Sequence, residues 1–263
     1  MTDGHLSSGV ARRLSLAGAL LACVGFAVPA AADTATAAPA AGFDVLQLNV
    51  CHSGSAECPS TGNAVESGIA AVRERAPRIV TINEVCAHDV TKMTRETGYH
   101  AEFTPARAAD GAPAACTDGR GDYGIAVLAH PDLGAVSGAV TEQVFTAQDG
   151  TGQQRVALCA PFSSFAACTS QLSAADPQVA AQQCAELSEV ATGLGRPTVL
   201  GGDLNLRHGA APDVQDCVPS GWVRTGDGSV QHVFNSADFA FERTENLPLD
   251  GTDYPGLVVE LSH

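Results

Sequence analysis

The chain alternates short apolar segments with stretches of helical periodicity, and this alternation narrows the folds that it can adopt. Apolar segments of strand length recur between residues 43–50 and residues 256–261. Residues 63–75 and 177–194 instead carry apolar side chains at the spacing of a helix. Many strands with a few interleaved helices favour an α/β fold of two packed β-sheets with helices on the outside.

The first residues have the layout of an export signal. Arg12 and Arg13 precede an apolar run, and alanines at positions 30–32 supply the small residues before a cleavage point at Asp33. The run is shorter than the ~20 apolar residues of a membrane span. We therefore expect a signal peptide over residues 1–32, a disordered tail over 33–42, and one secreted domain over 43–263 without a transmembrane segment. The arginine pair leaves Sec and twin-arginine export both open.

The cysteine content points to disulfide bonds. Of nine cysteines, Cys23 lies in the expected signal, so an even number remains in the exported chain. Zinc binding is disfavoured because no C-x-x-C pair occurs. Proximity in sequence suggests a Cys51–Cys58 bond, and a Cys86–Cys116 bond would tie down the segment after the second strand. The pairing of the other four cysteines stays open.

The charge of the chain is strongly negative. The 14 Lys+Arg and 29 Asp+Glu residues give a formal net charge of −15, and Lys92 is the single lysine. Without a basic stripe, tight salt-dependent binding to nucleic acid is disfavoured. A phosphate-bearing substrate is still compatible with this charge, because a bound divalent metal reverses the local potential. We expect a monomer.

The strongest local signal is the segment Gly201-Gly202-Asp203-Leu204-Asn205, which directly follows an apolar strand. Two residues that are two apart at a strand end point to the same side. An aspartate there can orient or deprotonate a water molecule, and an asparagine there can donate a hydrogen bond to a phosphate oxygen. The segment therefore predicts a phosphate-directed site at the end of this strand.

Further short segments occur in the order that one known family shows. They are Leu48-Asn49, Asn83-Glu84-Val85, residues 123–128 (YGIAVL), residues 230–234 (VQHVF) and residues 252–255 (TDYP). Together with the G-D-x-N segment, they resemble the motifs of the endonuclease/exonuclease/phosphatase family, which includes deoxyribonucleases, repair endonucleases and sphingomyelinases. The resemblance runs from about residue 43 to residue 261.

This resemblance implies a deoxyribonuclease-like, four-layered α/β sandwich and a metal-dependent phosphoester hydrolase. Mg²⁺ or Mn²⁺ would be held by Glu84 with help from Asn49 and Asp253, since hard oxygen ligands suit such ions. Asp203 would activate the water, and Asn205 would hold the phosphate. The substrate would be a phosphoester in a nucleic acid, a lipid headgroup or a small molecule.

Three positions depart from the family pattern. Gln171 stands where the family has a histidine that supports the phosphate, and Gln231 replaces an aspartate just before His232. Tyr254 stands at the general-base histidine, although Pro255 follows at once, so that histidine could equally have been deleted. A tyrosine with a pKa of ~10 is a poor base at neutral pH. Gln171 and Tyr254 can still donate hydrogen bonds to phosphate, and His232 completes the expected catalytic set.

Three other histidines come just after strand ends and are therefore candidates to replace the missing ones: His52, His88 and His208. Each is more often a surface residue of a loop than part of a site. Two functions follow from the sequence. The first is a secreted, metal-dependent phosphoester hydrolase with full or reduced activity. The alternative is a secreted binding protein that keeps the fold and has lost turnover.

Overall fold

Strands and helices occur in the order that the apolar segments predict. The computed structural model describes residues 42–54 and 63–263, to which all structural statements refer. The elements, in chain order, are β1 Phe43–Asn49, α1 Asn63–Arg75, β2 Ile79–Cys86, α2 Ala87–Thr97, β3 His100–Pro105, β4 Arg107–Ala108, β5 Tyr123–Ala129, β6 Thr141–Val144, β7 Gln153–Gln154, β8 Val156–Pro161, β9 Ala166–Gln171, α3 Pro177–Gly193, β10 Thr198–Asp203, β11 Val223–Gly226, β12 Gln231–Asn235, β13 Ala240–Leu247 and β14 Gly256–Ser262.

Most strands belong to two six-stranded sheets. The first sheet has the order β13-β14-β1-β2-β5-β3, and the second has the order β11-β12-β10-β9-β8-β6. Each sheet contains one parallel pair, β1 with β2 in the first and β9 with β10 in the second. The other pairs are antiparallel. Both sheets are therefore mixed, and each has a pair of neighbouring strands that end on the same side.

Apolar side chains fill three layers between these elements. The central layer lies between the sheets and contains an aromatic group of Phe43, Phe165 and Phe239. A second layer packs α1 and α2 against the outer face of the first sheet. A third packs α3 against the outer face of the second sheet. The result is the predicted four-layered α/β sandwich with helices on the outside.

Local sequence explains where the helices begin and end. Asp176 caps α3 by accepting hydrogen bonds from the backbone N–H groups of Gln178 and Val179, at 2.8 and 3.3 Å. Helix α2 ends at Gly98, which adopts the left-handed conformation with a φ of 78°. It begins at Ala87, where the Asp89 side chain accepts from the N–H of Cys86 and caps the first turn.

Three disulfide bonds are present among the described residues. The predicted Cys86–Cys116 bond is confirmed. The four cysteines that the sequence left open pair as Cys159–Cys168, between β8 and β9, and Cys184–Cys217, between α3 and a turn of 3-10 helix. Cys58, the expected signal peptide and nearly all of the expected tail lie outside the described residues. No helix within residues 42–54 and 63–263 is long and apolar enough to cross a bilayer.

Candidate active site

The carboxyl ends of four strands meet at one edge of the sandwich. In the first sheet, Asn49 of β1 stands opposite Asn83 of β2. In the second sheet, Gln171 of β9 stands opposite Asp203 of β10. Hydrogen bonds between the sheets join these ends, so polar side chains from both sheets form one group. We call Asn49, Glu84, Gln171 and Asp203 the strand-end cluster.

Asn49 lies between the two carboxylates of the cluster. Its Nδ2 donates to Glu84 Oε1 at 3.0 Å and to Asp203 Oδ2 at 2.9 Å. Its Oδ1 accepts from the backbone N–H of Cys51 at 2.9 Å. Because the two acceptors share one nitrogen, they lie within about 6 Å of each other. Asn49 thus presents its N–H group to the two carboxylates, and its role as a metal ligand stays a prediction.

An irregularity in β2 aims Glu84 at the cluster. The register between β2 and β5 shifts between Ile82 and Val85, as at a β-bulge. Glu84 lies inside this shift and has a φ of 54°, which is unusual for a residue other than glycine. Bulges of this kind re-aim a side chain and often lie beside active sites. Glu84 Oε1 also accepts from Gln171 Nε2 at 2.5 Å.

Asp203 is the most buried carboxylate of the cluster, with 1% of its surface exposed. Burial raises its pKa to about 7, and the nearby negative charge of Glu84 adds to this effect. The hydrogen bond from Asn49 and the backbone N–H of Asn205, which donates to Oδ1 at 3.2 Å, partly oppose the increase. Asp203 is therefore suited to exchange a proton near neutral pH.

Gln171 connects the cluster to a cation that the sequence reasoning missed. Its Oε1 accepts from Tyr123 Oη at 2.9 Å and from Arg155 Nη1 at 2.7 Å, while its amide N–H donates to Glu84. Arg155 Nε is buried and has no hydrogen-bond partner among the described residues. Arg155 also acts electrostatically on Asp203 and lowers its pKa. The positive charge that could face an anion is thus an arginine next to β8.

Asn205 and Tyr254 lie beside the cluster. Asn205 Nδ2 donates to the carbonyl oxygen of Leu172 at 2.9 Å, which fixes the amide next to Asp203. The loop that carries Tyr254 is tied to β1 because Thr252 Oγ1 donates to the carbonyl oxygen of Asn49 at 3.0 Å. Burial raises the pKa of Tyr254 to about 12, and the negative charges of Asp203 and Glu84 add to the increase. The phenol therefore keeps its proton at neutral pH and can donate a hydrogen bond.

Two expected site residues make no hydrogen bond to the cluster among the described residues. His232 belongs to the face of β12 opposite to Gln231, because side chains alternate along a strand. Its Nε2 lies 2.9 Å from the carbonyl oxygen of Leu206, whereas Gln231 Oε1 faces the first sheet and accepts from Gln47 Nε2 at 2.8 Å. His232 therefore makes no hydrogen bond to the cluster among the described residues, and its catalytic role stays a prediction. Asp253 is exposed and makes no hydrogen bond or ion pair with any described residue.

None of the candidate replacement histidines reaches the cluster through a side-chain hydrogen bond in the described part of the chain. His52 Nδ1 lies 2.7 Å from Asp89 Oδ2, His208 Nδ1 lies 3.2 Å from Asp213 Oδ1, and His88 is exposed. His52, Asp89 and Cys86 also lie close enough together for a metal ion. Cys86 is bonded to Cys116, however, and so offers no thiolate to a metal.

A buried polar network supports the cluster from below. Asn83 Oδ1 accepts from the N–H of Asp203 at 2.7 Å and from Gln47 Nε2 at 2.6 Å. Its Nδ2 donates to the carbonyl oxygen of Ser170 at 3.1 Å, so one side chain of β2 bonds to both β9 and β10. The sequence contains a signal for this network, because Gln47 and Asn83 are amide side chains between apolar residues of β1 and β2. Sequence reasoning used only the residues at the strand tips and missed it.

The donor chemistry of the cluster fits a divalent cation. Glu84 Oε2 accepts no hydrogen bond from any described residue, since Asn49 and Gln171 both bond to Oε1. Mg²⁺ prefers hard oxygen ligands, takes one or two carboxylates and keeps several waters. Glu84 is partly exposed, and Asp203 supplies a second carboxylate nearby. Glu84 would hold such an ion through Oε2, with the carboxylate of Asp203 beside it.

The fold and this arrangement of strand ends define a deoxyribonuclease-like α/β sandwich. The sequence profile described as the Endonuclease/Exonuclease/phosphatase family matches residues 46–253, and the chain belongs to that family. The structural motifs named from the sequence lie within or next to this range. No curated protein sequence gives a significant match.

Several solved structures share the fold. An endonuclease/exonuclease/phosphatase family protein from Bacteroides thetaiotaomicron has a TM-score of 0.67 and 15% identity, covering 84% of this chain and 95% of that one. A mannosyl-6-phosphatase from Bacteroides thetaiotaomicron VPI-5482 has a TM-score of 0.65 and 15% identity, covering 84% and 100%. The human Nocturnin catalytic domain with bound sulfate anion has a TM-score of 0.65 and 15% identity, covering 84% and 94%. Identities this low establish a shared fold and nothing more.

Proposed function

We infer that the chain is a secreted, divalent-metal-dependent phosphoester hydrolase whose site is the strand-end cluster. The observation that carries this inference is the Asn49 amide held between Glu84 and Asp203, with Arg155 reaching the same group through Gln171. Two carboxylates and one arginine around a single point provide for both a cation and an anionic substrate. The family relationship supports the same chemistry. The disulfide bonds among the described residues support secretion.

Each side chain has a role that its surroundings support. Glu84 would hold the cation through its free carboxylate oxygen, and the bound cation supplies neutralisation of charge on the phosphoryl oxygens. Asp203 accepts a proton from the attacking water. Arg155 and the protonated Tyr254 donate hydrogen bonds to the phosphate. Asn49 donates to both carboxylates and so holds them on either side of its amide.

Asn205 and Gln171 support the substrate from the second sheet. Asn205 donates one amide N–H to the carbonyl oxygen of Leu172, and Gln171 donates one to Glu84. Each amide has a second N–H. That second N–H is free for a phosphate oxygen. Asp253, on the exposed terminal loop, would help Glu84 to hold the cation.

Hydrolysis assays on the chain that begins at Asp33, with its disulfides intact, test this function. We expect bis-p-nitrophenyl phosphate or p-nitrophenyl phosphate to be cleaved with Mg²⁺ or Mn²⁺ and not with EDTA. The Asp203→Ala variant should lose about 10²–10⁴-fold in kcat/KM. Asp132→Ala, an exposed carboxylate after the opposite end of β5, is the matched control and should keep full activity. Cleavage that survives both EDTA and Asp203→Ala would refute the proposal.

A further inference from the structure

We propose that His52, Asp89 and Arg120 form a positioning set that fixes the backbone of Glu84 so that its carboxylate faces Asp203. This inference rests on the proposed function, because it concerns the carboxylate that would hold the cation. Glu84 adopts a φ of 54° inside the register shift of β2, where its neighbours on β5 do not pair with it. A residue other than glycine keeps such a backbone conformation only where the surrounding structure holds it there.

The segment after β1 provides the first part of that hold. The N–H of His52 donates to the carbonyl oxygen of Glu84 at 2.9 Å, and the N–H of Val50 donates to the carbonyl oxygen of Asn83 at 3.1 Å. These bonds continue the pairing of β1 with β2 beyond the regular strand. The carbonyl group of Glu84 is therefore held by the backbone of His52, on the side of β2 that faces β1.

Asp89 connects His52 to Cys86, the last residue of β2 after the register shift. Its Oδ2 lies 2.7 Å from His52 Nδ1 and accepts from the N–H of Cys86 at 3.2 Å. This one buried carboxylate oxygen therefore contacts His52, which pairs with Glu84, and Cys86, which follows Glu84 by two positions. The Cys86–Cys116 bond anchors the same point of β2 to the loop before β5.

Arg120 completes the set through two contacts with His52. Its Nη1 donates to the carbonyl oxygen of His52 and lies 2.7 Å from His52 Nδ1. His52 Nδ1 thus lies within hydrogen-bond distance of both Asp89 and Arg120, and the carbonyl oxygen of His52 also accepts from Arg120. His52 Nε2 has no partner among the described residues. The ring serves to hold its own backbone against Glu84.

Substitution of His52 tests whether the set acts on the metal site or only on the fold. In the chain that begins at Asp33, His52→Ala should weaken Mn²⁺ binding by about ten- to a hundredfold, as loss of a residue behind a metal ligand does. His52→Asn places an amide N–H at the position of Nδ1 and should restore most of that affinity. His88→Ala removes a nearby exposed histidine and should change nothing. Mn²⁺ affinity is measured by electron paramagnetic resonance, without substrate turnover.

Two outcomes would overturn the inference. One is a His52→Ala variant with lower thermal stability but unchanged Mn²⁺ affinity, since the set would then support only the fold. The other is a crystal structure of His52→Ala in which Glu84 keeps its positive φ and its bond to Asn49. That crystal structure does not depend on metal binding. A wild-type chain that binds no Mn²⁺ would instead contradict the proposed function, and the conformation of Glu84 in His52→Ala would still decide the role of the set.

Discussion

Asn49 shows how a single side chain organises the site. Its Nδ2 donates to both Glu84 and Asp203, so the two carboxylates approach each other without direct contact. An amide donor between two acceptors reduces their repulsion and leaves other oxygens of each group available. In the proposed function the two carboxylates are thereby placed beside one cation, and the neutral donors Gln171 and Tyr254 lie where the family pattern predicts histidines.

The Tyr254→His variant should be more active than the wild type. A histidine with a pKa near 6.5 can transfer protons at neutral pH, whereas burial and the nearby carboxylates raise the pKa of Tyr254 to about 12. We expect kcat for bis-p-nitrophenyl phosphate to rise about ten- to a hundredfold at pH 7. Tyr254→Phe, which removes the hydroxyl without adding a base, is the control. Equal rates for the two variants would argue against a missing general base at this position.

His232 should make the fold sensitive to acid. It is buried, and this burial lowers its pKa to about 4 from an ordinary value of 6.5. The unfolded chain therefore binds the proton first, so stability falls as the pH drops from about 6.5 towards 4. His232→Gln should remove about 2–3 kcal/mol of that loss, as measured by urea unfolding at pH 7 and pH 4. Parallel pH curves for the variant and the wild type would disprove this assignment.

Strands and helices were largely predictable, but the irregularity that aims Glu84 was not. Helix α1 and the buried strands follow from apolar periodicity, which is a local property of the sequence. The edge strands β6 and β11 were missed because their short, exposed segments lack an apolar run. The register shift in β2 arises in its pairing with β5, about 40 residues away. Such long-range pairing leaves no pattern in the segment itself.

The placement of the site residues was predictable to a similar extent. The motifs at the ends of β1, β2 and β10 identified side chains that the fold brings together. Packing between the sheets decides three other features. They are the direction of the Asn49 amide, the position of His232 on the face of β12 away from the first sheet, and the contact of Arg155 with Gln171. Sequence spacing carries no information about that packing.

The disulfides Cys159–Cys168 and Cys184–Cys217 should stabilise the fold unequally. Cys159–Cys168 closes a loop with a sequence separation of 9, whereas Cys184–Cys217 closes one of 33 and ties α3 to the loop after β10. In the chain-entropy account the longer loop gains more, by about 1 kcal/mol. Replacing both cysteines by alanine, one pair at a time, should therefore lower the free energy of unfolding more for Cys184–Cys217. Guanidinium unfolding measures both, and the reverse ranking would contradict the entropic explanation.

The molecule as a whole carries a charge that limits its partners. With a net charge of −15, it repels long polyanions, and only local groups such as Arg155 favour an anion. We therefore expect the chain to show no measurable affinity for duplex DNA in EDTA at about 100 mM NaCl, by fluorescence anisotropy. Tight binding that weakens steeply with added salt would reveal a basic surface that the described residues do not provide.

The most direct test of the account is a crystal structure of the chain soaked with Mn²⁺ and phosphate. The account predicts an anomalous peak about 2.1–2.3 Å from a carboxylate oxygen of Glu84, with Asp203 beside it and phosphate contacting Arg155. Asn49 should still lie between the two carboxylates. A fully occupied Mn²⁺ ion elsewhere, with none at Glu84 and Asp203, would contradict the claim that these strand ends form a metal-dependent site.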